Sequence, residues 1–302
     1  MLASLEHFFL RLTKKASSPK IVGLMPARNE GNKLRASLKV LAYYTDAIVY
    51  LDDCSTDHSL EIVESCRAEC RIERILKNNT WRRDEPGDRN LLLQAGREIG
   101  GTHFIVIDAD EIFTSNLRVN NLLRKEVLKL APGQALSMPW IHLWRGADRY
   151  RLDGRRGALR TKAFAFCDDG KVSYISDFIH TPRVPTSRRR RTRKLGLPYG
   201  LIHFHCVNWD NLELKQKWYR WMERVERPDR SLAQINARYA GAFDEKEVQT
   251  ALSLSEWFEN YPDLDIASFS LPDQWRLDQI KEWEAAKGTA YFEGLDCEMR
   301  KQ

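Results

Sequence analysis

The sequence predicts an α/β protein built on a mostly parallel central sheet with flanking helices. Short apolar runs of strand length alternate with amphipathic helical patterns through the first part of the chain. The connections between these runs are short, as they are in sheets built from repeated strand–helix–strand units. Of the 302 residues, 43% are hydrophobic and 10% are aromatic, which is enough to bury a core and excludes wholesale disorder.

The predicted elements follow one another in a simple order. Four strands are predicted from short apolar runs: Ile21–Met25, Ala47–Leu51, Arg74–Leu76 and Phe104–Ile107. Three helices are predicted from apolar residues at helical spacing: Leu34–Leu41, Leu60–Cys66 and Arg89–Ile99. Gly100 and Gly101 end the third helix, because glycine readily adopts the left-handed backbone that closes a helix.

The pattern becomes irregular in the second half of the chain. Residues 136–180 indicate short strands and loops, Leu201–Val207 a strand, and Leu212–Arg227 a helix. We therefore divide the chain into four predicted parts: an N-terminal amphipathic segment (1–18), a regular α/β half (19–130), an irregular half (131–210) and a C-terminal helical extension (211–302).

Composition excludes several classes of protein. The longest apolar runs are strand-sized, well short of the roughly 20 residues of a membrane-spanning helix. The six cysteines form no C-x-x-C pair and no signal-peptide pattern is visible, so we expect reduced thiols and a cytoplasmic protein. The net charge of +6 is concentrated in Arg188–Lys194. This run indicates a solvated loop, a contact with anionic lipid, or attraction of an anionic ligand.

Polar side chains follow three of the predicted strands where each strand ends. Arg28–Glu30 follow the first strand, Asp52 and Asp53 the second, and Asp108 and Asp110 the fourth. The carboxyl ends of parallel strands meet at one edge of the sheet, which is where ligands of such proteins bind. We therefore expect these side chains to form one site.

Two pairs of possible metal ligands have strand spacing. Asp108 and Asp110 can point the same way because strand side chains alternate, and together they could hold Mg²⁺ or Mn²⁺. Asp110 or Glu111 could instead cap a following helix. His203 and His205 could supply a further metal ligand, or they could be a pair of hydrogen-bonded buried histidines.

Two more positions allow a functional and a structural interpretation. Asp53 could accept hydrogen bonds from a base or ribose, or it could cap the helix that follows. Arg82, Arg83 and Arg89 could clamp a diphosphate, because a guanidinium group binds phosphate oxygens in pairs. Arg82 and Arg83 could instead face solvent in a charged loop, whereas Arg89 begins a predicted helix and is the first choice.

Four motifs together resemble the family 2 glycosyltransferases of GT-A fold: Pro26–Glu30, Asp52–Asp57, Arg89–Asn90 and Asp108–Asp110. The resemblance implies a hexosyltransferase-like enzyme that moves a sugar from a nucleotide-diphosphate donor, most often a UDP-sugar. It implies inversion at the anomeric carbon, transfer to a hydroxyl of a saccharide or lipid-linked saccharide, and a need for Mn²⁺ or Mg²⁺. Residues 19–130 would be the nucleotide-sugar-binding half and 131–210 the acceptor-binding half.

The resemblance also implies roles for individual residues. Pro26, Ala27, Arg28 and Glu30 would line the nucleoside pocket, Asp53 would bind the base, Arg89 would lie near the diphosphate, Asp108 would approach the ribose or metal, and Asp110 and His205 would coordinate the metal. The glycine that usually follows the paired aspartates is Cys54 here, which enlarges the turn.

The acceptor side is predicted from residues further along the chain. The family places its catalytic base downstream of the D-x-D motif, which makes Asp177 the expected base and Asp153 the alternative. Trp140, Trp144 and Tyr150 could stack on sugar rings, with Trp144 the first choice, or they could pack in the core.

Two other functions compete with this interpretation. A nucleotidyltransferase-like enzyme also uses paired carboxylates, but it would carry an early glycine-rich loop, which this sequence lacks. A non-catalytic protein that binds nucleic acid or anionic glycan would use the arginine run, but no nucleic-acid-binding motif accompanies that run. The resemblance implies a nucleotide-sugar and a glycan or lipid-linked glycan as partners, in surface polysaccharide biosynthesis. The charge of Arg188–Lys194 favours contact with the inner face of the membrane.

Overall fold

A computed structural model describes residues 18–153, 159–175, 181–185, 191–240 and 248–295. Most of the predicted N-terminal amphipathic segment, Asp177 and the first arginines of the basic run lie outside these residues. Among the described residues, no helix is both long enough and apolar enough to cross a membrane.

The described strands belong to one large sheet. Their bounds are β1 Ile21–Ala27, β2 Ala47–Asp52, β3 Ile72–Lys77, β4 His103–Val106, β5 Glu111–Phe113, β6 Ala135–Trp144, β7 Arg149–Arg151, β8 Thr161–Cys167, β9 Thr192–Lys194, β10 Leu201–Cys206 and β11 Thr250–Leu252. The main order across the sheet is β11-β7-β6-β8-β4-β1-β2-β3. Strand β10 lies between β5 and β6, and β9 pairs with β6.

The α-helices flank this sheet and continue into the C-terminal part. Their bounds are α1 Gly31–Tyr44, α2 Ser59–Cys66, α3 Glu85–Glu98, α4 Leu122–Leu128, α5 Trp209–Glu226, α6 Leu232–Tyr239 and α7 Gln274–Lys287. Short 3₁₀ segments lie at Ser115–Asn121, Ser255–Trp257, Ala267–Ser270 and Thr289–Phe292.

The N-terminal half of the sheet is parallel, as predicted. Strand β1 pairs in parallel with β2 and β4, and β2 pairs in parallel with β3. Beyond β4 the sheet is mixed, because β8 runs antiparallel to both β4 and β6. The predicted α/β class, with a mostly parallel central sheet, flanking helices and a C-terminal helical segment, is confirmed.

Helix α1 shows why the first helix forms where the sequence predicts it. Leu34, Leu38 and Leu41 are fully buried, and they form one apolar stripe against the sheet. Burying such a side chain stabilises the fold by roughly 2 kcal/mol. The packing also fixes the loop before α1, which belongs to the polar edge of the sheet.

The structure corrects three predictions of local structure. Helix α3 begins at Glu85 rather than Arg89, because Asp84 accepts a hydrogen bond from the Gly87 amide and Pro86 suits the first turn. Residues Thr192–Lys194, predicted as a loop, form the exposed strand β9. Strand β11 lies within the predicted helical extension, because it pairs with the open edge of β7.

Candidate active site

One open cavity of about 1040 Å³ lies at the carboxyl ends of the parallel strands. Strands β1, β2 and β3 end side by side there. The Asp53 amide donates to the Ala27 carbonyl at 2.9 Å, and the Asn78 amide donates to the Asp52 carbonyl at 2.9 Å. The Phe204 amide donates to the Asp110 carbonyl at 3.0 Å, which brings β10 beside the D-x-D loop. The topology therefore gathers side chains that are far apart in the sequence.

Most of the predicted site residues line this one cavity. They are Pro26, Ala27, Arg28, Glu30, Asp53, Arg89, Asp108, Asp110 and His205. The predicted base Asp177 lies outside the described residues. The alternative base Asp153 is not among the lining residues, and Arg151 holds its carboxylate with two guanidinium nitrogens at 2.9–3.1 Å.

Two loops at the polar edge are locked together by hydrogen bonds. The Asn29 amide donates to Ser55 Oγ at 2.9 Å, and Asn29 Oδ1 accepts from the Thr56 amide at 2.6 Å. Asp52 Oδ2 accepts from the Ser55 amide at 3.0 Å. Asp52 thus shapes the loop itself, which leaves Asp53 as the carboxylate of this pair that lines the cavity.

Asp53 shares its hydrogen-bond partner with a second acid. The Asn78 side-chain amide donates to Asp53 Oδ1 and to Asp88 Oδ1, each at 2.8 Å. Burial and the nearby Asp53 carboxylate raise the pKa of Asp88 to about 6, although the hydrogen bond from Asn78 opposes the shift. Asn78 and Asp88 support Asp53 at the cavity, and the sequence motifs did not identify either of them.

Asp108 belongs to a buried ion-pair network. Arg183 Nη2 lies 2.6 Å from Asp108 Oδ2 and also donates to Glu111, which is fully buried. Arg89 Nη2 lies 3.6 Å from Asp108 Oδ1. Burial by itself would raise the pKa of Asp108, but the charges of Arg183 and Arg89 outweigh it and lower the pKa.

Three possible metal ligands converge on the other side of the D-x-D motif. Ligand atoms of Asp110, His203 and His205 all lie within 4.8 Å of one another. His203 Nε2 is 3.4 Å from Asp110 Oδ2, and Lys215 Nζ is 3.3 Å from His205 Nδ1. Burial, with Lys215 and His203 adding to it, lowers the pKa of His205 well below its usual range, so this imidazole stays neutral.

The C-terminal helices form part of the cavity wall. The Arg28 guanidinium lies 3.8 Å from the centre of the Trp81 ring and 5.7 Å from that of Trp275 on α7. Lys33 Nζ lies 3.2 Å from Asp273, the residue before α7, and it also pairs with Glu30. These contacts connect the loop that follows β1, which is predicted to line the nucleoside pocket, and the start of α1 to helix α7.

The predicted aromatic residues divide between the cavity and the core. Trp140 and Trp144 line the cavity, although Trp144 is largely covered by Arg151 and Trp209. Tyr150 is buried against Trp257 and does not line the cavity. Trp140, rather than Trp144, is therefore the more open indole of the three.

The most important residues that sequence reasoning missed are Glu111, Lys162 and Arg183. Glu111 directly follows the D-x-D motif, and this adjacency was an available signal. Lys162 and Arg183 lie in the irregular half, where no periodic pattern marks the side chains that point to the sheet edge.

The comparisons with known proteins agree with the motifs. Residues 24–125 match the model of the family described as glycosyl transferase family 2, which confirms the resemblance for this segment. No protein with a curated description matches the chain.

Several solved structures are similar to the chain at low identity. S. aureus TarS 1-349 in complex with UDP is 22% identical over 45% of this chain and 37% of that one, with a TM-score of 0.31. S. aureus TarS 1-349 without the nucleotide is 16% identical over 76% of this chain and 73% of that one, with a TM-score of 0.37. Glucosyl-3-phosphoglycerate synthase from Mycobacterium tuberculosis, in complex with Mn²⁺, UDP and glucosyl-3-phosphoglycerate, is 17% identical over 46% of each chain, with a TM-score of 0.29. The chain thus spans less than half of the first and third of these structures.

Proposed function

We propose that this protein is a glycosyltransferase that moves a sugar from a UDP-sugar to a hydroxyl of a saccharide or lipid-linked saccharide, with inversion at the anomeric carbon. The match of residues 24–125 to glycosyl transferase family 2 is the premise. The observation that carries the proposal is that the residues predicted to bind the nucleobase, the diphosphate and the metal all line one cavity.

The donor would lie against the N-terminal half of the cavity. Asp53, held by Asn78, would accept hydrogen bonds from the base. Arg89 is buried, yet its Nε and Nη1 atoms have no hydrogen-bond partner among the described residues. Buried polar atoms without partners are costly, so a diphosphate that accepts these hydrogen bonds would relieve the cost.

The donor set of Asp110, His203 and His205 fits a divalent cation. It offers one carboxylate and two imidazoles within 4.8 Å of one another, and His203 Nδ1 is buried without a partner among the described residues. Imidazole ligands favour Mn²⁺ over Mg²⁺, because Mg²⁺ prefers oxygen ligands. A bound cation would neutralise the charge that builds on the departing diphosphate.

Asp177 would serve as the base that accepts the proton of the acceptor hydroxyl. The hydroxyl oxygen forms a bond to the anomeric carbon as the bond from that carbon to the diphosphate oxygen breaks. Attack from the face opposite the leaving UDP inverts the configuration. Arg183 holds the Asp108 carboxylate at 2.6 Å and so keeps the D-x-D loop in place.

We place this activity in the cytoplasm, at the inner face of the membrane, in the assembly of surface polysaccharide. Arg188–Lys194 supplies a cluster of positive charge, and such a cluster contributes on the order of 1 kcal/mol per residue near an anionic lipid surface. In this proposal residues 19–130 bind the donor, 131–210 the acceptor, and 211–302 extend the wall.

Calorimetric titration with UDP, with and without Mn²⁺, tests the proposed function. We expect Mn²⁺-dependent binding in the wild type and its loss in Asp110→Ala. Asp263→Asn is a matched control, because it changes the first acid of another D-x-D sequence on an exposed part of the chain. Failure of the wild type to bind UDP, GDP, CDP and dTDP would overturn the proposal.

His203→Gln separates the metal site from the rest of the cavity. We expect Mn²⁺ affinity to fall by about 10- to 100-fold, because one of three ligands is replaced by a weaker one. UDP binding without Mn²⁺ should stay unchanged. Electron paramagnetic resonance of free Mn²⁺ during a titration measures the affinity, and an unchanged value would remove His203 from the site.

A further inference from the structure

The two parts of the chain bring opposite charges to the cavity. Among the described lining residues, those after residue 130 include six lysines and arginines and no aspartate or glutamate. Four of the six pair with carboxylates: Arg151, Arg183, Arg238 and Arg276. The other two are Lys215, which faces His205 of the metal site, and Lys162.

Lys162 forms no salt bridge with a carboxylate of the described residues. It lies on β8 opposite Met138 of β6 and is half-buried. Its ammonium sits 3.3 Å from the centre of the Trp140 ring. Burial and the charge of Arg183 together lower the pKa of Lys162 to about 8, although the carboxylates of Glu111 and Asp108 oppose the shift.

Trp140 and Arg183 form the surroundings of this ammonium. The indole Nε1 of Trp140 donates to Glu111 at 2.7 Å, which fixes the ring beside Lys162. Arg183 Nε is buried and has no hydrogen-bond partner among the described residues. An incoming anion would meet the Lys162 ammonium, the positive field of Arg183 and a flat apolar surface, which together suit an anionic sugar.

We propose that Lys162 recognises a carboxylate or phosphate group on the acceptor, so that the acceptor is an anionic sugar rather than a neutral one. This inference rests on the proposed function, since it assumes that a nucleotide-sugar fills the donor side. The diphosphate of that donor already has Arg89, with two unpartnered nitrogens, and the metal site. Among the described lining cations after residue 130, Lys162 is the one that neither pairs with a carboxylate nor faces the proposed metal site.

Competitive acetylation of lysines at pH 8 tests the proposal without requiring turnover. The protein is first loaded with UDP and Mn²⁺, so that added anions cannot enter the diphosphate site. Acetic anhydride labelling of Lys162 is then followed by mass spectrometry with inorganic phosphate, glucuronate or glucose. We expect phosphate or glucuronate to reduce labelling about tenfold, because a bound anion holds the amine protonated, and glucose to leave it unchanged.

Lys217 provides the matched control. Its ammonium also lies over an indole, 5.0 Å from the centre of the Trp221 ring, but Lys217 does not line the cavity. Its labelling should respond to none of the three compounds. In calorimetry, Lys162→Met should weaken binding of the protecting anion about tenfold, whereas Lys162→Arg and Lys217→Met should retain it.

The arms of the experiment have distinct meanings. Protection by glucuronate alone identifies a carboxylate-bearing acceptor, and protection by phosphate alone identifies a phosphorylated one. Labelling that neither anion changes overturns the proposal. Protection seen only before UDP is added also overturns it, because Lys162 would then serve the donor diphosphate. If UDP fails to bind, the proposed function fails, and protection of the unloaded protein still decides whether Lys162 binds anions.

Discussion

The two sides of the cavity are built differently: the described lining residues of the N-terminal side include both acids and arginines, whereas those of the later side include cations and no acid. The N-terminal side supplies every lining carboxylate among the described residues, and these are Glu30, Asp53, Glu85, Asp88, Asp108 and Asp110. They lie in the loops that follow regular strands or in the first turns of a helix. The later side supplies cations and indoles from an irregular mixture of strands, loops and C-terminal helices.

This difference shows that neither side is electrostatically complete alone. Arg183 of the later side holds the D-x-D loop. Trp275 and Asp273 of the later side contact Arg28, in the loop after β1, and Lys33, in the first turn of α1. Charges buried at such a junction are stable only when their partners are present. We therefore expect substitutions on one side to destabilise the other.

Removing Arg183 should have the largest effect on stability. Arg183→Met leaves Glu111 fully buried without its cation, and losing one partner of a buried pair costs about 3–5 kcal/mol. Chemical unfolding in urea, followed by circular dichroism, measures the change. The double variant with Glu111→Gln should recover much of the loss, because the unpaired charge is then gone.

Arg193→Met is the control for this prediction. Arg193 also pairs with a glutamate of the N-terminal half, Glu126, at 2.9 Å, but its side chain is 47% exposed. A surface pair of this kind contributes at most about 1 kcal/mol. Equal losses for the two variants would contradict the view that the two sides depend on each other through buried charge.

A smaller effect is expected at Asp88, an acid of the N-terminal side that forms no salt bridge with a described residue. Burial raises the pKa of Asp88 to about 6, so the folded protein binds more protons than the unfolded chain between about pH 4 and 6. Stability should therefore fall as the pH rises through this window and stay level above it. Asp88→Asn should remove that slope and stabilise the protein at pH 7 by about 1–2 kcal/mol.

Urea unfolding at pH 4 and pH 7 measures the Asp88 effect. Asp84→Asn is the control, because Asp84 is exposed at the start of the same helix and an amide oxygen can still accept from the Gly87 amide. The free energy of unfolding of the Asp84→Asn variant should differ from that of the wild type by less than about 0.5 kcal/mol. An Asp88→Asn variant that is less stable than the wild type at pH 7 would show that the carboxylate is charged and favourable there.

Sequence reasoning succeeded where structure is periodic. The strand that ends before Asp108 is an unbroken apolar run, and the stripe of Leu34, Leu38 and Leu41 marks the face of α1. Because parallel strands place their carboxyl ends at one edge, the position of Asp53 and Asp110 in the cavity follows from these patterns alone.

The same reasoning fails where contacts depend on tertiary structure. Arg183 meets Asp108 across 75 positions of the chain, and nothing in the local pattern distinguishes it from neighbouring arginines. Trp144 is the predicted first choice for stacking on a sugar, and the Arg145 and Gly146 that follow it are typical of a loop, yet Trp144 is more buried than Trp140. Side-chain exposure in such segments is decided by packing and not by periodicity.

The smallest effect concerns Cys54, which tests whether the loop that follows β2 is strained. Cys54 has φ 59°, the left-handed conformation that costs a side-chain-bearing residue about 1 kcal/mol relative to glycine. Cys54→Gly removes that strain but loses the hydrogen bond from Sγ to the Asn78 carbonyl at 3.1 Å and gains unfolded-chain entropy. We expect a net stabilisation of about 0.5 kcal/mol, measured by urea unfolding.

Cys54→Ala separates the strain from the lost thiol. Alanine keeps the left-handed strain and also lacks Sγ, so it should be less stable than Cys54→Gly by about 1 kcal/mol. If the alanine and glycine variants have equal free energies of unfolding, the loop relaxes without glycine and Cys54 does not strain it. If the order holds, and UDP affinity stays the same in both variants, the backbone at position 54 is a fixed feature of the loop. The proposed contact with the nucleobase would then depend on Asp53, which Asn78 holds, rather than on Cys54.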